Sequence, residues 1–115
     1  MSSHLDPYQA EAAIGDSTTC PNGQCILSFP TVPAGKRLVL QSVSAQIGND
    51  ADQLVLEGGT AAYFVPKADP SLSYLASQVT FYYDAGSTPT ARIFVGSSPA
   101  HTSLIVTLVG HLVDM

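Results

Sequence analysis

Residues 72–83 have the sequence LSYLASQVTFYY, in which apolar and polar residues alternate. Leu75, Val79 and Phe81 share one parity, whereas Gln78 and Thr80 occupy the other. Successive side chains of a β-strand point to opposite faces of its sheet, so this pattern predicts a strand with one buried face. No window of helical length has the apolar spacing of a helix without Gly, Pro or a β-branched cluster inside it, except residues 7–14.

Further strands are predicted on both sides of this segment. Residues 30–35, 48–52 and 84–89 are rich in Gly, Pro, Asn and Asp, which favour turns, and they separate the apolar segments from one another. Short strands without crossover helices between them are typical of an antiparallel β-sandwich. We predict an all-β fold, a jelly roll of seven or eight strands, with further strands at residues 25–29, 36–47, 53–57, 60–65, 91–95 and 103–113.

Length and composition limit the classes of protein to which the chain can belong. Of its 115 residues, 45% are hydrophobic and 11% are charged, which is enough for a core. We expect one β-sandwich domain over residues 1–115, with residues 1–16 as an N-terminal arm. The net charge of -5 leaves no basic surface for a phosphate backbone, so nucleic acid is not an expected partner. No apolar run approaches the roughly 18 to 20 residues of a spanning helix, so no membrane insertion is expected.

The apolar residues of segment 36–47 change parity part-way along it. Leu38 and Leu40 share one parity, and the apolar residues from Val43 onward share the other. Either both faces of the strand are apolar at its start, or a β-bulge near Gln41 changes the phase. Both interpretations predict a central strand.

Cys20 and Cys25 bracket the dipeptide Asn22-Gly23, which favours a tight reversal of the chain. We therefore predict a disulfide that pins this turn, with two free thiols or half of a zinc site as the alternatives. A disulfide favours an oxidising compartment, which implies a secreted, periplasmic or surface protein. Residues 1–4 have none of the features of a signal peptide, so we expect the export signal to lie outside this sequence.

Segment 103–113 has apolar residues on both parities, although in a monomeric sandwich one face of such a strand meets water and is polar. We expect a partner subunit to cover one face, with residues 7–14 or a long loop over that face as the alternative. Protonation of a histidine near the symmetry axis of such an oligomer would weaken assembly in mild acid. The predicted interface is one face of this segment, either that of Leu104, Val106 and Leu108 or that of Ile105, Val109 and Val113, with His111 near the symmetry axis.

No pattern typical of an enzyme or a cofactor site is present. The histidines are isolated from one another and from the cysteines, which gives no metal-ligand spacing, and there is no Gly-x-Ser-x-Gly motif. Asn49, Asp50 and Asp52 place oxygen-bearing side chains in one segment, which is either the start of a calcium site or, as we expect, an ordinary polar loop. We therefore expect no catalytic activity, no metal and no cofactor.

Tyr82 and Asp84 offer an aromatic platform beside a carboxylate, a combination that can stack on a sugar ring and accept hydrogen bonds from its hydroxyls. These two residues form the candidate ligand site. In the alternative interpretation, strand alternation buries Tyr83 with Phe81, and Tyr82 only caps a face of the sheet.

Two segments carry a resemblance to known proteins. Residues 29–40, FPTVPAGKRLVL, and residues 106–114, VTLVGHLVD, together resemble a largely uncharacterised group of bacterial extracytoplasmic proteins with a small β-sandwich. The predicted architecture is also similar to the trimeric jelly-roll heads of the tumour-necrosis-factor and complement C1q type, some bacterial members of which bind sugars. This resemblance implies a trimer and transfers no site residue. The expected function is a non-enzymatic, extracytoplasmic jelly-roll module that self-associates, with a lectin-like carbohydrate-binding module as the alternative.

Overall fold

The computed structural model describes residues 5–16, 20, 23–47, 53–58, 61–65, 74–94 and 103–115. Their regular structure consists of eight strands. The strands are β1 (Leu5–Ile14), β2 (Gln24–Ser28), β3 (Lys36–Gln46), β4 (Gln53–Gly58), β5 (Ala61–Val65), β6 (Tyr74–Tyr83), β7 (Thr90–Phe94) and β8 (Leu104–Asp114).

The strands form two antiparallel sheets of four strands each. The front sheet has the order β1-β8-β3-β6, and the back sheet has the order β2-β7-β4-β5. In this order the first strand pairs with the eighth, the second with the seventh, the third with the sixth and the fourth with the fifth. That pairing results when one long hairpin is wrapped into two packed sheets, which is the jelly-roll arrangement. The predicted fold class is confirmed.

The N-terminal segment belongs to the front sheet. Residues 5–14, most of the predicted arm and the part with helix-compatible spacing, are the edge strand β1, which pairs with β8 from Leu5 opposite Val113 to Ile14 opposite Leu104. Asp6 and its neighbours are fixed further by Lys36, whose Nζ donates to Asp6 Oδ2 at 3.0 Å and to Asp114 Oδ1 at 2.7 Å. One ammonium group therefore links the start of β1, the start of β3 and the end of β8.

A β-bulge resolves the parity change within β3. The register of β3 shifts between Leu40 and Ser42 against both of its neighbours. Leu40 points into the core before the bulge and Val43 after it, so the interpretation with a bulge is confirmed. Gly110 on β8 lies beside the bulge, where a Cβ atom would overlap the carbonyl oxygen of Val39.

The core lies between the two sheets and is formed by alternate residues of every strand. On β6 the buried parity ends in Phe81 and Tyr83, whose rings meet edge to face with their centroids 5.0 Å apart. Tyr83 also lies over Gly58 of the back sheet, where a Cβ atom would overlap its ring. The fully buried large side chains are Tyr83, Leu38, Leu40, Ile47, Leu54, Leu56, Ile93, Leu104, Leu108, Val43, Val106 and Pro89.

Candidate functional site

The structure separates the two parities of β8. Leu104, Val106 and Leu108 point between the sheets with 0% exposure and pack in the chain's own core. They are therefore not available to a partner, which excludes this one of the two predicted faces. The sequence could not separate the two parities because both are aliphatic, and only the position of the back sheet decides which one is covered.

The other parity of β8 lies on the outer face of the front sheet, the face directed away from the back sheet. Ile105, Val109, His111 and Val113 are all partly exposed there. Residues 7–14 do not cover them, because β1 lies beside β8 in the same sheet. That part of the alternative interpretation is contradicted.

The register places a row of mostly apolar side chains, interrupted by His111, across the whole front sheet. His111 of β8 is opposite Pro7 of β1 on one side and Val39 of β3 on the other, and Val39 is opposite Tyr82 of β6. Adjacent strands are about 4.8 Å apart, so these four side chains form a continuous band. A polar row follows next, in which Val109 is the sole aliphatic member between Gln9, Ser42 and Gln78.

The predicted sugar-binding pair lies on this same outer face. Tyr82 is 55% exposed, while its neighbour Tyr83 is buried against Phe81. Asp84 follows β6 and accepts a hydrogen bond from Arg37 Nε at 3.0 Å through its Oδ1. Arg37 is itself opposite Val113. The candidate ligand site and the candidate interface therefore meet at one end of the front sheet.

A shallow groove runs between β3 and β6 on the outer face. It consists of two adjoining depressions of about 280 Å³ and about 270 Å³. Small side chains such as Ser44 and Ala76, which are cross-strand neighbours, line both depressions. The lining residues outside the buried parity are Ser42, Ser44, Gln46, Tyr74, Ala76, Gln78, Ile105 and Thr107.

Sequence reasoning did not find this groove, because it arises from the small size of facing residues on two strands that are distant in sequence. The one available signal in the sequence was the aromatic residue Tyr74 on the same parity of segment 72–83 as Gln78 and Thr80. In the structure its side chain is 61% exposed, at the end of the groove.

The outer face of the back sheet has a different character. Arg92 lies at its centre, where Nε donates to Glu57 Oε1 at 3.0 Å and Nη1 donates to Gln24 Oε1 at 2.7 Å. Ile26 and Phe64 are the exposed large hydrophobic residues of this face, and Phe64 is 62% exposed. Both belong to one cross-strand row, in which Ile26 is opposite Arg92, Arg92 is opposite Val55 and Val55 is opposite Phe64.

Two tyrosine hydroxyls are buried between the sheets. Neither Tyr8 Oη nor Tyr83 Oη has a hydrogen-bond partner among the residues that the structure describes. Burial raises the pKa of Tyr83 far above its ordinary value, and the nearby Tyr8 and Glu57 raise it further. Burial also raises the pKa of Tyr8. Both phenols are therefore held in the neutral form.

The predicted disulfide is present. Cys20 and Cys25 are bonded with their Cα atoms 5.1 Å apart, and Gly23 between them has a φ of 69°. A residue with a side chain rarely adopts this conformation, which is why glycine suits the turn. Cys25 is fully buried at the start of β2, so the bond anchors the turn to the core.

The other predicted sites lie outside the described residues or are not formed by them. Asn49, Asp50 and Asp52 fall in an undescribed segment, so the calcium hypothesis is not tested, and His4 and His101 are also undescribed. Within the described ranges, no three His, Cys, Asp or Glu side chains are grouped closely enough to hold a metal ion.

The described residues include no helix of the length and apolarity needed to span a membrane. No family model, no curated protein and no solved structure matches this chain.

Proposed function

We propose that this protein is a non-enzymatic, extracytoplasmic jelly-roll module that self-associates through the outer face of its front sheet. The observation that carries the proposal is the row of partly exposed aliphatic residues on β8, which are Ile105, Val109 and Val113. The extracytoplasmic location is supported by the Cys20–Cys25 disulfide, because such bonds persist in oxidising compartments.

The outward residues of β8 differ in polarity from those of its neighbour β3, and this difference supports the choice of surface. The exposed face of a sandwich sheet is ordinarily polar. On β3 the corresponding positions after the bulge are Ser42, Ser44 and Gln46, which fit that rule. On β8 the outward positions are mostly aliphatic. A second copy of the chain would remove the aliphatic residues Ile105, Val109 and Val113 of β8 from water. It would also cover Val39 on the neighbouring strand β3.

The size of the face is of the order that a stable interface needs. Four strands about 4.8 Å apart and about ten residues long, at about 3.3 Å per residue, cover roughly 600 Å². A stable interface buries about 800 Å² per partner, so the edge of β1 would also contribute. A face that contacts a neighbour's edge is a heterologous contact, which closes into a ring when the rotation between subunits returns to the first one and otherwise extends as a filament. We propose the trimer implied by the resemblance to trimeric jelly-roll heads.

Light scattering with size-exclusion chromatography tests the proposal. The wild-type chain is expected at about three times 12.0 kDa at micromolar concentration. Val109→Asp is expected to yield folded monomer, whereas Ile26→Asp, which adds the same charge on the back sheet, is expected to keep the wild-type mass. A 12.0 kDa wild-type species, or equal masses for the two variants, would contradict the proposal. Val106→Asp is not a useful probe because Val106 is fully buried.

Carbohydrate binding is the second candidate function. Tyr82 is exposed beside Asp84, and the ion pair with Arg37 holds that carboxylate in place. Binding on a glycan array that is lost in both Tyr82→Ala and Asp84→Ala would support this pair as the site. Binding that survives both substitutions would discard the pair.

A further inference from the structure

We infer that His111 makes the proposed self-association depend on pH, so that the assembly separates into single chains in mild acid. This inference rests on the proposed function, because it assigns a regulation to the same interface. Its cause is the apolar environment of the imidazole on the outer face of the front sheet, and it does not require His111 to lie on a symmetry axis.

His111 is partly exposed and has apolar neighbours in both directions within the sheet. Its cross-strand neighbours are Pro7 on β1 and Val39 on β3. Along β8, the nearest residues of the same parity are Val109 and Val113, which belong to the proposed interface. A second copy that covers both valines therefore also covers the imidazole between them.

The charged groups at this end of the front sheet are already paired with one another. They are Asp6 of β1, Lys36 and Arg37 of β3, Asp84 after β6 and Asp114 of β8. Lys36 donates to both Asp6 and Asp114, and Arg37 donates to Asp84. The two carboxylates bound by Lys36 are half-exposed, so water and salt screen their attraction for an imidazolium.

Two further titratable side chains lie on the same outer face. Tyr82 of β6 is opposite Val39, on the far side of that residue from His111. Glu11 is four residues from Pro7 along β1, which is about 13 Å at about 3.3 Å per residue. Among the described residues, no carboxylate is therefore placed to compensate a charge on His111 within a covered interface.

Protonation of His111 has a different free-energy cost in the single chain and in the assembly. In the single chain the imidazole is partly exposed, so water hydrates its charge. In the assembly the charge would be removed from water among apolar groups, which disfavours the protonated form. The assembly therefore binds fewer protons than the separated chains. It is weakened as the pH falls through the range near 6.5, in which an exposed imidazole ordinarily gains its proton.

The size of the effect follows from the three copies of His111 in the proposed trimer. If the assembly excludes the proton from each copy, the association constant of three chains falls about a thousandfold between pH 8 and pH 5.5. The chain concentration at half-assembly varies with the inverse square root of that constant, so it rises about 30-fold.

Sedimentation equilibrium of dilution series at pH 8 and pH 5.5, at constant ionic strength, tests the inference. We expect the half-assembly concentration of the wild type to rise about 30-fold in acid. His111→Gln has no imidazole at this position and should assemble equally at both pH values. His4 and His101 are the other histidines of the chain, so His4→Gln/His101→Gln is the matched control and should keep the wild-type pH dependence.

A second variant places a permanent charge at the same position. His111→Lys should fold, because the position is on the outer face, and at pH 8 it should assemble no better than the wild type does at pH 5.5. Circular dichroism at pH 5.5 should show folded wild-type chains, and unfolded chains there would overturn the inference.

The inference is also overturned if the wild type assembles equally at both pH values, if His111→Gln keeps the pH dependence, or if His111→Lys assembles at pH 8 as the wild type does. In these three cases the proposed function stands, since the wild type still assembles at pH 8. A wild-type mass of 12.0 kDa already at pH 8 would contradict the proposed function itself, and the inference with it.

Discussion

Replacing Tyr83 by phenylalanine is expected to stabilise the protein, although Tyr83 is 1% exposed and its ring packs edge to face against Phe81. The reason is the hydroxyl, which is buried without a partner among the described residues. A buried polar group without a hydrogen bond costs about 1 to 3 kcal/mol. The variant would leave a void of about 10 Å³, which at about 24 cal/mol per Å³ costs about 0.2 kcal/mol. The net gain in the free energy of unfolding is therefore about 1 to 3 kcal/mol.

The same hydroxyl gives the prediction a dependence on pH. Burial raises the pKa of Tyr83 in the folded state, whereas in the unfolded chain it ionises near its ordinary value of about 10. The contribution of this hydroxyl to the free energy of unfolding is constant below about pH 10. It is lost as the pH rises further, because the unfolded state then releases a proton that the folded state keeps. Above that pH the free energy of unfolding falls by about 1.4 kcal/mol per pH unit. Tyr83→Phe should abolish this part of the alkaline loss, and the weaker dependence due to Tyr8 should remain.

Urea unfolding at pH 7 and at pH 11, followed by circular dichroism, measures both effects. Tyr82→Phe is the matched control, because its hydroxyl is on the next residue of the same strand but faces solvent. The control should change the free energy of unfolding by no more than about 0.5 kcal/mol. If Tyr83→Phe is less stable than the control by about 1 kcal/mol, the hydroxyl is hydrogen-bonded in the native state and the reasoning is refuted.

Two further substitutions test the turn and the bulge. Cys20→Ser should lower the free energy of unfolding by about 1 to 2 kcal/mol, since the loop that the disulfide closes is short, and an unchanged urea midpoint would show that the bond does not constrain the turn. Gly110→Ala should destabilise by about 3 kcal/mol or more, because its Cβ would meet the Val39 carbonyl oxygen, whereas Gly15→Ala, with open space around its Cβ position, is the control. Equal melting temperatures for these two glycine variants would contradict the described packing beside the bulge.

The alternation of apolar and polar residues in the sequence was sufficient to predict most of the strands of the sandwich. It predicted β6 and the parity change in β3, because one face of each strand is buried and the other is not. It was ambiguous for β1, since Ala and Glu favour helices and are depleted in strands, although the parity of Tyr8 does face the core.

The candidate sites were less predictable from sequence. For β8 the sequence could not say which aliphatic parity is covered, because burial depends on where the back sheet packs. Leu104 and Ile105 are both branched aliphatic residues, but in the structure Leu104 is buried between the sheets and Ile105 is partly exposed on the outer face. The groove was not predictable, because a depression is produced by the small size of Ser44 and Ala76 relative to neighbours that the chain brings together only on folding.

The contact of Lys36 with Asp6 and Asp114 has a mechanical consequence. It places the start of β1 and the end of β8 side by side at one end of the front sheet, with the two strands antiparallel. A force that pulls these two strand ends apart would load the hydrogen bonds between β1 and β8 one after another, as in opening a zipper, instead of all together in shear. The Lys36 ion pairs would be the first contacts to carry that load. The front sheet should therefore open at a lower force when pulled through these two strand ends than when the same pair of strands is loaded in shear.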